Sequence, residues 1–487
     1  MTAPSPRSAQ LIFAVVAALG SVPALAQPAA LEQPALEQPA QEQPAAAPES
    51  GPSPMQATGL DAPSLPPLTI EQAVRIALEH NYDQRRLAYL AAQAEQDKVT
   101  ARSNILPRLD FNAAANENLI RGGNILGNFV DPVSGRTVTQ IAPNQSFPTY
   151  GFGLQLRQLV FDGGAWWNNI AAANANLAAS QANVEEQRLN TVYTAEQKFF
   201  ELVRQRKQLE VLTEAAARSR DQADFSERLF EGGRAVQADV YQARANRDND
   251  EINRLGQERA VELARQDLAQ AIGVDPAEPL TVAEPPNLQQ EPAVPGKAPA
   301  LVQKALAVRP GLKAFQLFAE AQRKTLAVQR GGYYPAVSLV ANYQRGSRDL
   351  GDITAGPDKV GQISAGVNLN WNLFQGLATD AAVRRQELSV LSAENDLANG
   401  RRGVASDVER AVAALAGARQ QALVAAQAVQ TAQEDLRLAT TRQQVGVGTE
   451  LEVRDAELKL TQSQLARINA LLDGRESEAA LTRAVGG

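Results

Sequence analysis

Apolar and polar residues alternate along four short segments of the chain, which is the pattern of β-strands with one apolar face. The segment from residue 363 to 373 shows it most clearly, because Ser, Gly or Asn fills every position between the apolar ones. The apolar positions are Ile363, Ala365, Val367, Leu369, Trp371 and Leu373. An apolar face about ten residues long, backed by an uncharged polar face, is typical of membrane β-barrel strands, which contact lipid on one side and water on the other.

Three further segments repeat this alternation, at residues 109–114, 150–157 and 337–344. Together with the clearest segment, they predict a lipid-facing surface. Its members are Phe152, Leu154, Leu156, Leu339, Val367, Leu369 and Trp371. The alternative is an ordinary amphipathic sheet whose apolar face is covered by helices, because the signal of a single membrane strand is weak.

The three tryptophans lie at one end of these segments. Trp166 and Trp167 follow the second strand, and Trp371 lies inside the last one. Interfacial aromatic belts of membrane proteins use Trp in this way, and packing against helices is the alternative. Asp162, at the same end of the second strand, can cap the helix that follows.

Long helices separate the strands. Residues 165–231 contain neither Pro nor Gly, and a helix of about 67 residues would reach roughly 100 Å. Its apolar residues fall three or seven apart, as in coiled coils. Gly232 and Gly233 then turn the chain into a returning helix over residues 235–272. The second half repeats the pattern with helices over 378–444 and 449–485 and a turn at Gly446 and Gly448.

The chain is internally duplicated, which is a property to establish before any fold is assigned. Residues 70–113 align without gaps on 298–341, and residues 151–273 align on 364–486. The first copy has the longer loop, and all of the extra length falls between the two aligned blocks.

The duplication sets the domain layout. The first repeat is expected over residues 68–273 and the second over 300–487, joined by a Pro-rich connector at 274–299. Each repeat is predicted to open with a single helix, over 70–104 in the first and 298–331 in the second. Two strands and two long helices follow in each.

The first 26 residues have the three regions of a secretory signal peptide. Arg7 precedes an apolar run, and the small-residue cleavage site ends at Ala26. The alternative is a membrane anchor, but the run is shorter than the roughly 20 residues needed to span a bilayer. The Pro-, Gln- and Ala-rich residues 27–67 cannot bury enough surface to fold and predict a disordered tether.

Composition excludes several function classes. The chain has 47 Lys and Arg against 54 Asp and Glu, a net charge of −7, so it carries no basic footprint for nucleic acid. It has no cysteine and a single histidine, His80, which removes thiol catalysis and cysteine zinc sites and argues against His-rich metal sites. We therefore expect no enzyme activity, no metal site and no cofactor.

Several motifs carry a resemblance to a known family, and all but the first have counterparts in both copies in the same order. They are the opening LTIEQAVRIALEHN, the pairs Leu106-Pro107 and Tyr334-Pro335 before strands, the runs Phe161-Asp162-Gly163-Gly164 and Phe374-Gln375-Gly376 after strands, and the glycine turns followed by Asp or Glu and Val. Over residues 68–486 the chain thereby resembles the TolC-type outer-membrane efflux proteins.

This resemblance implies a fold and a function. The fold is mainly α with membrane β: a homotrimer in which four strands per chain close a 12-stranded barrel that continues into a tunnel of 12 helices. Four strands alone cannot close a barrel, because open edges are not tolerated in lipid. The need for closure by itself would be met by two, three or four copies of the chain. The implied protein is a passive duct in the outer membrane, extending into the periplasm and recruited by a periplasmic adaptor and an inner-membrane pump.

The resemblance also places a gate at the end of the long helices. In the family, acidic residues after the second glycine turn ring the constriction, and the matching residues here are Glu452 and Asp455. The first-copy counterparts are Asp239 and Gln242, and an aromatic latch position is occupied by Gln443. Adaptor contacts are expected at Gly232, Gly233, Gly446 and Gly448. For Glu452 a helix-capping role with Thr449 is an alternative or additional role.

A different class of protein could use the same helical hairpins. A structural periplasmic coiled-coil protein, such as an adaptor, is the competing hypothesis. An adaptor would show small soluble β-domains flanking one hairpin, whereas this chain has two helix-strand-strand-helix-helix copies. The strands therefore favour the outer-membrane channel.

Overall fold

The computed structural model describes residues 67–120, 125–141, 145–354 and 361–487. The predicted signal peptide and all but the last residue of the predicted tether lie outside the described residues. Within these ranges, no helix is both long enough and apolar enough to cross a membrane.

The two copies supply matching series of elements. The first comprises α1 (Ile70–His80), α2 (Tyr82–Ser103), β1 (Arg108–Ile120), β2 (Ile125–Val130), β3 (Thr137–Ile141), β4 (Gln145–Phe161), α3 (Ala165–Glu231) and α4 (Gln237–Ile272). The second comprises α5 (Ala298–Val308), α6 (Pro310–Gly331), β5 (Ala336–Ser347), α7 (Leu350–Thr354), β6 (Gly361–Asn370), α8 (Ala378–Gln444) and α9 (Glu450–Val485).

The prediction that each copy opens with one continuous helix is wrong. In the first copy Asn81 has an extended conformation, and its side-chain oxygen accepts a hydrogen bond from the backbone N–H of Gln84, so it caps α2. In the second copy Arg309 is extended because Pro310 follows it, and proline disfavours the helical conformation at the preceding residue. Each opening segment is therefore two helices that meet at a bend.

The described strands form two sheets. The four-stranded sheet has the order β1-β4-β5-β6, and the additional hairpin of β2 and β3 fills the longer loop of the first copy. In the antiparallel pairing of β1 with β4, Leu109 lies opposite Leu156 and Phe111 opposite Leu154. The predicted four strands are thus present, and β2, β3 and the short α7 were not predicted.

The chain divides into two compact units. Of the described residues, the first unit takes most of β1, β4, β5 and β6 together with the β2–β3 hairpin and α7, and the second takes the other helices and the strand ends that adjoin them in sequence. In the second unit α3 and α8 each have 67 residues, as predicted. The backbone N–H of Trp166 donates to the Asp162 carboxylate at 3.0 Å, which confirms the predicted cap.

The long helices pack through small side chains. The buried set on α8 and α9 consists largely of alanine and valine, which lets helices approach closely. Larger apolar side chains concentrate in one cluster where α1, α3, α4, α9 and the connector meet. Its largest fully buried members are Phe199, Leu202, Leu268, Ile272 and Leu472.

The Pro-rich connector, residues 274–299, is folded onto these helices, and we call it the strap. Arginines on the long helices donate hydrogen bonds to its backbone carbonyls. The pairs are Arg206 to Val282, Arg265 to Pro276, Arg419 to Pro292 and Arg475 to Gln290. Pro292 lies so close to Gly474 that a Cβ at this glycine would fall 2.2 Å from the proline ring. The strap therefore contacts all four long helices.

Candidate functional site

The apolar positions of the predicted strands share one face of the sheet. Phe152 of β4 lies between Phe111 of β1 and Tyr343 of β5, with ring centroids 6.1 Å apart on both sides. Side chains further along this face are exposed, including Leu339 (48%), Val367 (69%) and Leu369 (63%). These three apolar side chains are therefore not buried against other described residues.

The tryptophans lie where strands pass into helices. Trp166 and Trp167 stack with their ring centroids 3.7 Å apart, and Trp167 is largely exposed. Trp371 is half exposed and donates its indole N–H to the backbone carbonyl of Tyr333 at 3.1 Å. Trp371 therefore presents an apolar body and a fixed polar atom, as interfacial tryptophans do.

The glycine turns end the two helical hairpins. Gly233 and Gly446 have φ of +68° and +79°, values that favour glycine. At Gly448 a Cβ would lie 2.8 Å from the backbone nitrogen of Gln443, so no side chain fits there. Large apolar side chains around these turns are exposed. They are Val236, Tyr241, Val445, Val447 and Leu451.

The two acidic residues predicted to form the gate are exposed on α9, three residues apart. Glu452 donates its backbone N–H to the Thr449 hydroxyl at 3.2 Å, so it also belongs to the helix cap. Its carboxylate lies 3.5 Å from Arg442, and that of Asp455 lies 2.6 Å from Lys459. Each predicted gate carboxylate thus has a basic partner in its own chain.

Arg442 and Lys459 were not identified from the sequence as partners of these two acids. The spacing of Asp455 and Lys459, four residues apart on one helix, is a recognisable ion-pair signal. Lys459 is also 3.6 Å from Asp435 on α8, and hydrogen bonding to Asp455 raises the pKa of Lys459. Arg442 reaches Glu452 across the turn, a pairing that no local spacing rule predicts.

The first-copy residues occupy separate positions. Asp239 accepts a hydrogen bond from the backbone N–H of Val236 and caps α4, while the Gln242 side chain donates to Asn246. In the described part of the chain no hydrogen bond joins Asp239 to Gln443. Asp239 instead lies near Glu450, whose pKa is raised by burial and further by this negative charge.

A polar seam joins α3 of the first copy to α9 of the second. Side chains pair across it from five positions of α3 as the two helices run antiparallel. The pairs are Asn190 with Arg483, Arg204 with Asp473 and Glu476, Gln208 with Asn469, Arg218 with Thr461, and Ser226 with Glu450. Within the second hairpin, α8 meets α9 mainly through clusters of alanine, valine and leucine. The two hairpins are therefore held to each other by these hydrogen bonds and ion pairs in addition to the apolar cluster that contains Leu472.

The most buried ion pair of this region fixes α9 to α4. Arg454 binds both carboxylate oxygens of Asp250, at 2.7 and 2.9 Å, and lies 3.7 Å from Glu457. The side chains of Asp250 and Glu457 are each only 10% exposed. Burial raises the pKa of Glu457 and the positive charge of Arg454 opposes it, whereas hydrogen bonding to Asp250 raises the pKa of Arg454.

Duplicated long helices, a four-stranded sheet with an exposed apolar face, and glycine-turned hairpins define the arrangement. The chain matches the outer membrane efflux protein family over residues 73–274 and 301–487. It belongs to that family. The resemblance found in the sequence is confirmed.

Relatives of this efflux protein agree with the assignment. The outer membrane efflux protein BepC of Brucella suis is 26% identical over 71% of this chain and 74% of its own length. The outer membrane protein TolC of Vibrio cholerae is 24% identical over 82% and 87%, respectively. The crystal structure of the CmeC outer membrane channel of Campylobacter jejuni has a TM-score of 0.73 and 18% identity, covering 86% of this chain and 85% of that one.

The efflux protein therefore has the internally duplicated TolC-type fold that was predicted, mainly α with a four-stranded sheet. Its four strands were expected to be membrane strands, and their uncovered apolar face is compatible with that role. Of the predicted gate residues, Glu452 and Asp455 lie near the start of α9 and are ion-paired. Asp239 and Gln242 lie near the start of α4, and Gln443 lies near the end of α8.

Proposed function

We propose that this protein is the outer-membrane duct of an efflux or type I secretion system, a homotrimer that carries cargo from the periplasm to the exterior without chemistry of its own. Three chains would supply twelve strands to one barrel and twelve long-helix segments to a periplasmic tunnel. An inner-membrane transporter and a periplasmic adaptor would drive and recruit it.

The exposed apolar face of the sheet is the observation that carries this proposal. Leu339, Val367 and Leu369 place hydrocarbon in solvent in a single chain, and β1 and β6 are the outer strands of the sheet in its order. Outer-membrane lipid would cover the face, and neighbouring chains would pair the edges. A strand with an exposed apolar face and an unpaired edge is unfavourable in water, so a soluble single chain is not expected.

The hairpin ends supply the partner surface of the proposed complex. Val445, Val447 and Leu451 are each more than two-thirds exposed around Gly446 and Gly448. Exposed apolar residues grouped at a tight turn are characteristic of an interaction site. We assign this surface to the periplasmic adaptor.

Fractionation combined with planar-bilayer recording tests the proposal. We expect the mature chain in the outer membrane, extracted only by detergent as a trimer that forms ion-conducting channels. Crosslinking in cells, followed by purification, should recover an inner-membrane transporter and an adaptor. Recovery of a soluble periplasmic monomer would refute the barrel, and trimers that never conduct would refute the duct.

The gate can be tested in the same recordings. If Glu452 and Asp455 line the narrow end, multivalent cations added from the periplasmic side should block conductance, because rings of carboxylates concentrate cations at a pore mouth. Glu452→Gln with Asp455→Asn should abolish the block and lower cation selectivity. Lys459→Gln should strengthen both, since it removes the charge that offsets Asp455.

Glu434→Gln is the matched control, because Glu434 is an exposed acid of α8 already paired with Arg437 at 2.8 Å. It should leave block and selectivity unchanged. If the double variant of Glu452 and Asp455 is blocked like the parent, these acids serve only the helix end and the constriction lies elsewhere.

A further inference from the structure

The internal duplication gives the chain two junctions of each kind. Strands pass into helices at residues 162–165 and again at the equivalent residues 375–378. Helices pass into strands at residues 331–334 and at the equivalent residues 103–106. Each junction in the first copy therefore has a counterpart in the second with the same local structure.

One junction of each kind meets inside the chain. A Cβ on Gly163 would lie 2.8 Å from Cβ of Tyr334, and a Cβ on Gly331 would lie 2.9 Å from Cβ of Ala165. Gly163 has φ of +71°, and Gly331 is buried. The strand-to-helix junction of the first copy thus packs tightly on the helix-to-strand junction of the second.

Among the described residues, the remaining two junctions have no such partner. Gly376, the counterpart of Gly163, has φ of +60° and open space where a Cβ would point. Leu106 and its counterpart Tyr334 are about equally exposed, at 61% and 60%, so the two junctions differ at the glycine and not at this side chain. Ser103, the counterpart of the buried Gly331, is exposed as well.

The adjoining helices show the same inequality. One stripe of α3, formed by Ala175, Ala179 and Ala182, is buried within the chain. Its counterpart on α8, formed by Leu388, Ser392 and Asn395, is exposed. Likewise α6 has five buried residues, whereas its counterpart α2 has only Ala101. The stripe on α8 and most of α2 are therefore exposed, whereas the equivalent residues of α3 and α6 are buried.

Local sequence rules are broken at the uncovered strand-to-helix junction. Leu377 has φ of +66°, the only positive φ of a non-glycine residue in the described ranges, where the first copy has Gly164. Gln375 replaces the capping Asp162. A large apolar residue held at an unfavourable φ, and 66% exposed, indicates that its side chain has a purpose beyond local folding.

We infer that the two uncovered junctions pack on each other between neighbouring copies of this chain. The contact repeats the one seen inside the chain. Leu106 of one protomer lies on Gly376 of the next, and Ser103 lies beside Ala378. Leu377 packs over this contact. The stripe at Leu388 then packs on α2 of that neighbour. This inference rests on the proposed oligomer and names the surface by which its copies join.

Engineered cysteines test the contact, and no native thiol can form a competing disulfide because the chain has no cysteine of its own. In Ser103→Cys with Ala378→Cys, the two Cβ atoms should lie about 3.5–4.5 Å apart, the spacing of a disulfide, because the contact repeats the close approach of Gly331 to Ala165 with a side chain in place of the glycine. We expect mild oxidation to convert most chains into covalent dimers and closed trimers on non-reducing gels, with reduction restoring monomers.

Two control variants accompany this pair. Ser103→Cys with Ser392→Cys moves the second thiol roughly 21 Å along α8 and should give no covalent oligomer. Each single cysteine should also give none. A bimane probe on Leu377→Cys should resist quenching by brominated lipids and by aqueous iodide.

The outcomes separate this inference from the function on which it rests. Intact trimers in which the 103/378 thiols stay reduced and react with maleimide would overturn the contact while leaving the channel in place. Strong quenching of the bimane by brominated lipid would also overturn it, because lipid would then cover the junction. Absence of any oligomer in the membrane would instead refute the proposed function.

Discussion

Arg454→Met is expected to lower the free energy of unfolding of the helical unit by about 3–5 kcal/mol, the cost of leaving buried charge without its partner. Asp250 loses two hydrogen bonds at 2.7 and 2.9 Å, and Glu457 loses its nearest cation. Methionine keeps most of the volume, so cavity formation contributes little. Chemical denaturation of the purified protein in detergent, followed by circular dichroism, measures the change.

Arg437→Met is the matched control for this expectation. Arg437 pairs with Glu434 at 2.8 Å on the same hairpin, but both side chains are about two-thirds exposed. Exposed pairs contribute roughly 0–1 kcal/mol, so this variant should unfold almost as the parent does. Equal losses in the two variants would show that burial of the Arg454 cluster has no energetic consequence.

Leu369→Arg should destabilise the membrane-inserted protein by about 2–4 kcal/mol, the cost of an arginine on the lipid face near the bilayer midplane. Leu369 belongs to the exposed apolar face of β6, and hydrocarbon would have to surround the new guanidinium. Urea titration of folding into phospholipid vesicles measures the difference.

Asn370→Arg places the same side chain one residue further along β6, on the opposite face. Water would surround it there, so the expected cost is much smaller. Similar losses for the two variants would contradict the assignment of Leu369 to lipid and Asn370 to the interior of the barrel.

The long helices were predictable because their limits are set by local chemistry. The absence of Pro and Gly between residues 165 and 231, and the glycines that follow, fixed α3 to its observed bounds, and the duplication carried the same limits to α8. Alternation likewise located all four strands of the main sheet. The strong periodicity of these elements left little room for competing structures.

The missed features depend on rarer or longer-range signals. Pro310 is a local signal for the break before α6. The aligned position in the first copy is Tyr82, which gives no such signal, so the break there depends on the cap that Asn81 provides. The β2–β3 hairpin is too short for its alternation to stand out. Arg442 with Glu452 and Arg454 with Asp250 unite residues that only the packed hairpins bring together.

The strap gives the two hairpins a common mechanical support. Arg206 on α3 and Arg419 on α8 are equivalent in the duplication, and each holds a strap carbonyl at 2.6 Å. From either arginine to its glycine turn the helix continues for roughly 25 residues, or about 38 Å. The hairpins are thus lever arms of equal length, and a tilt of about 10° at the strap carries each turn sideways by roughly 6–7 Å, with no helix changing its length.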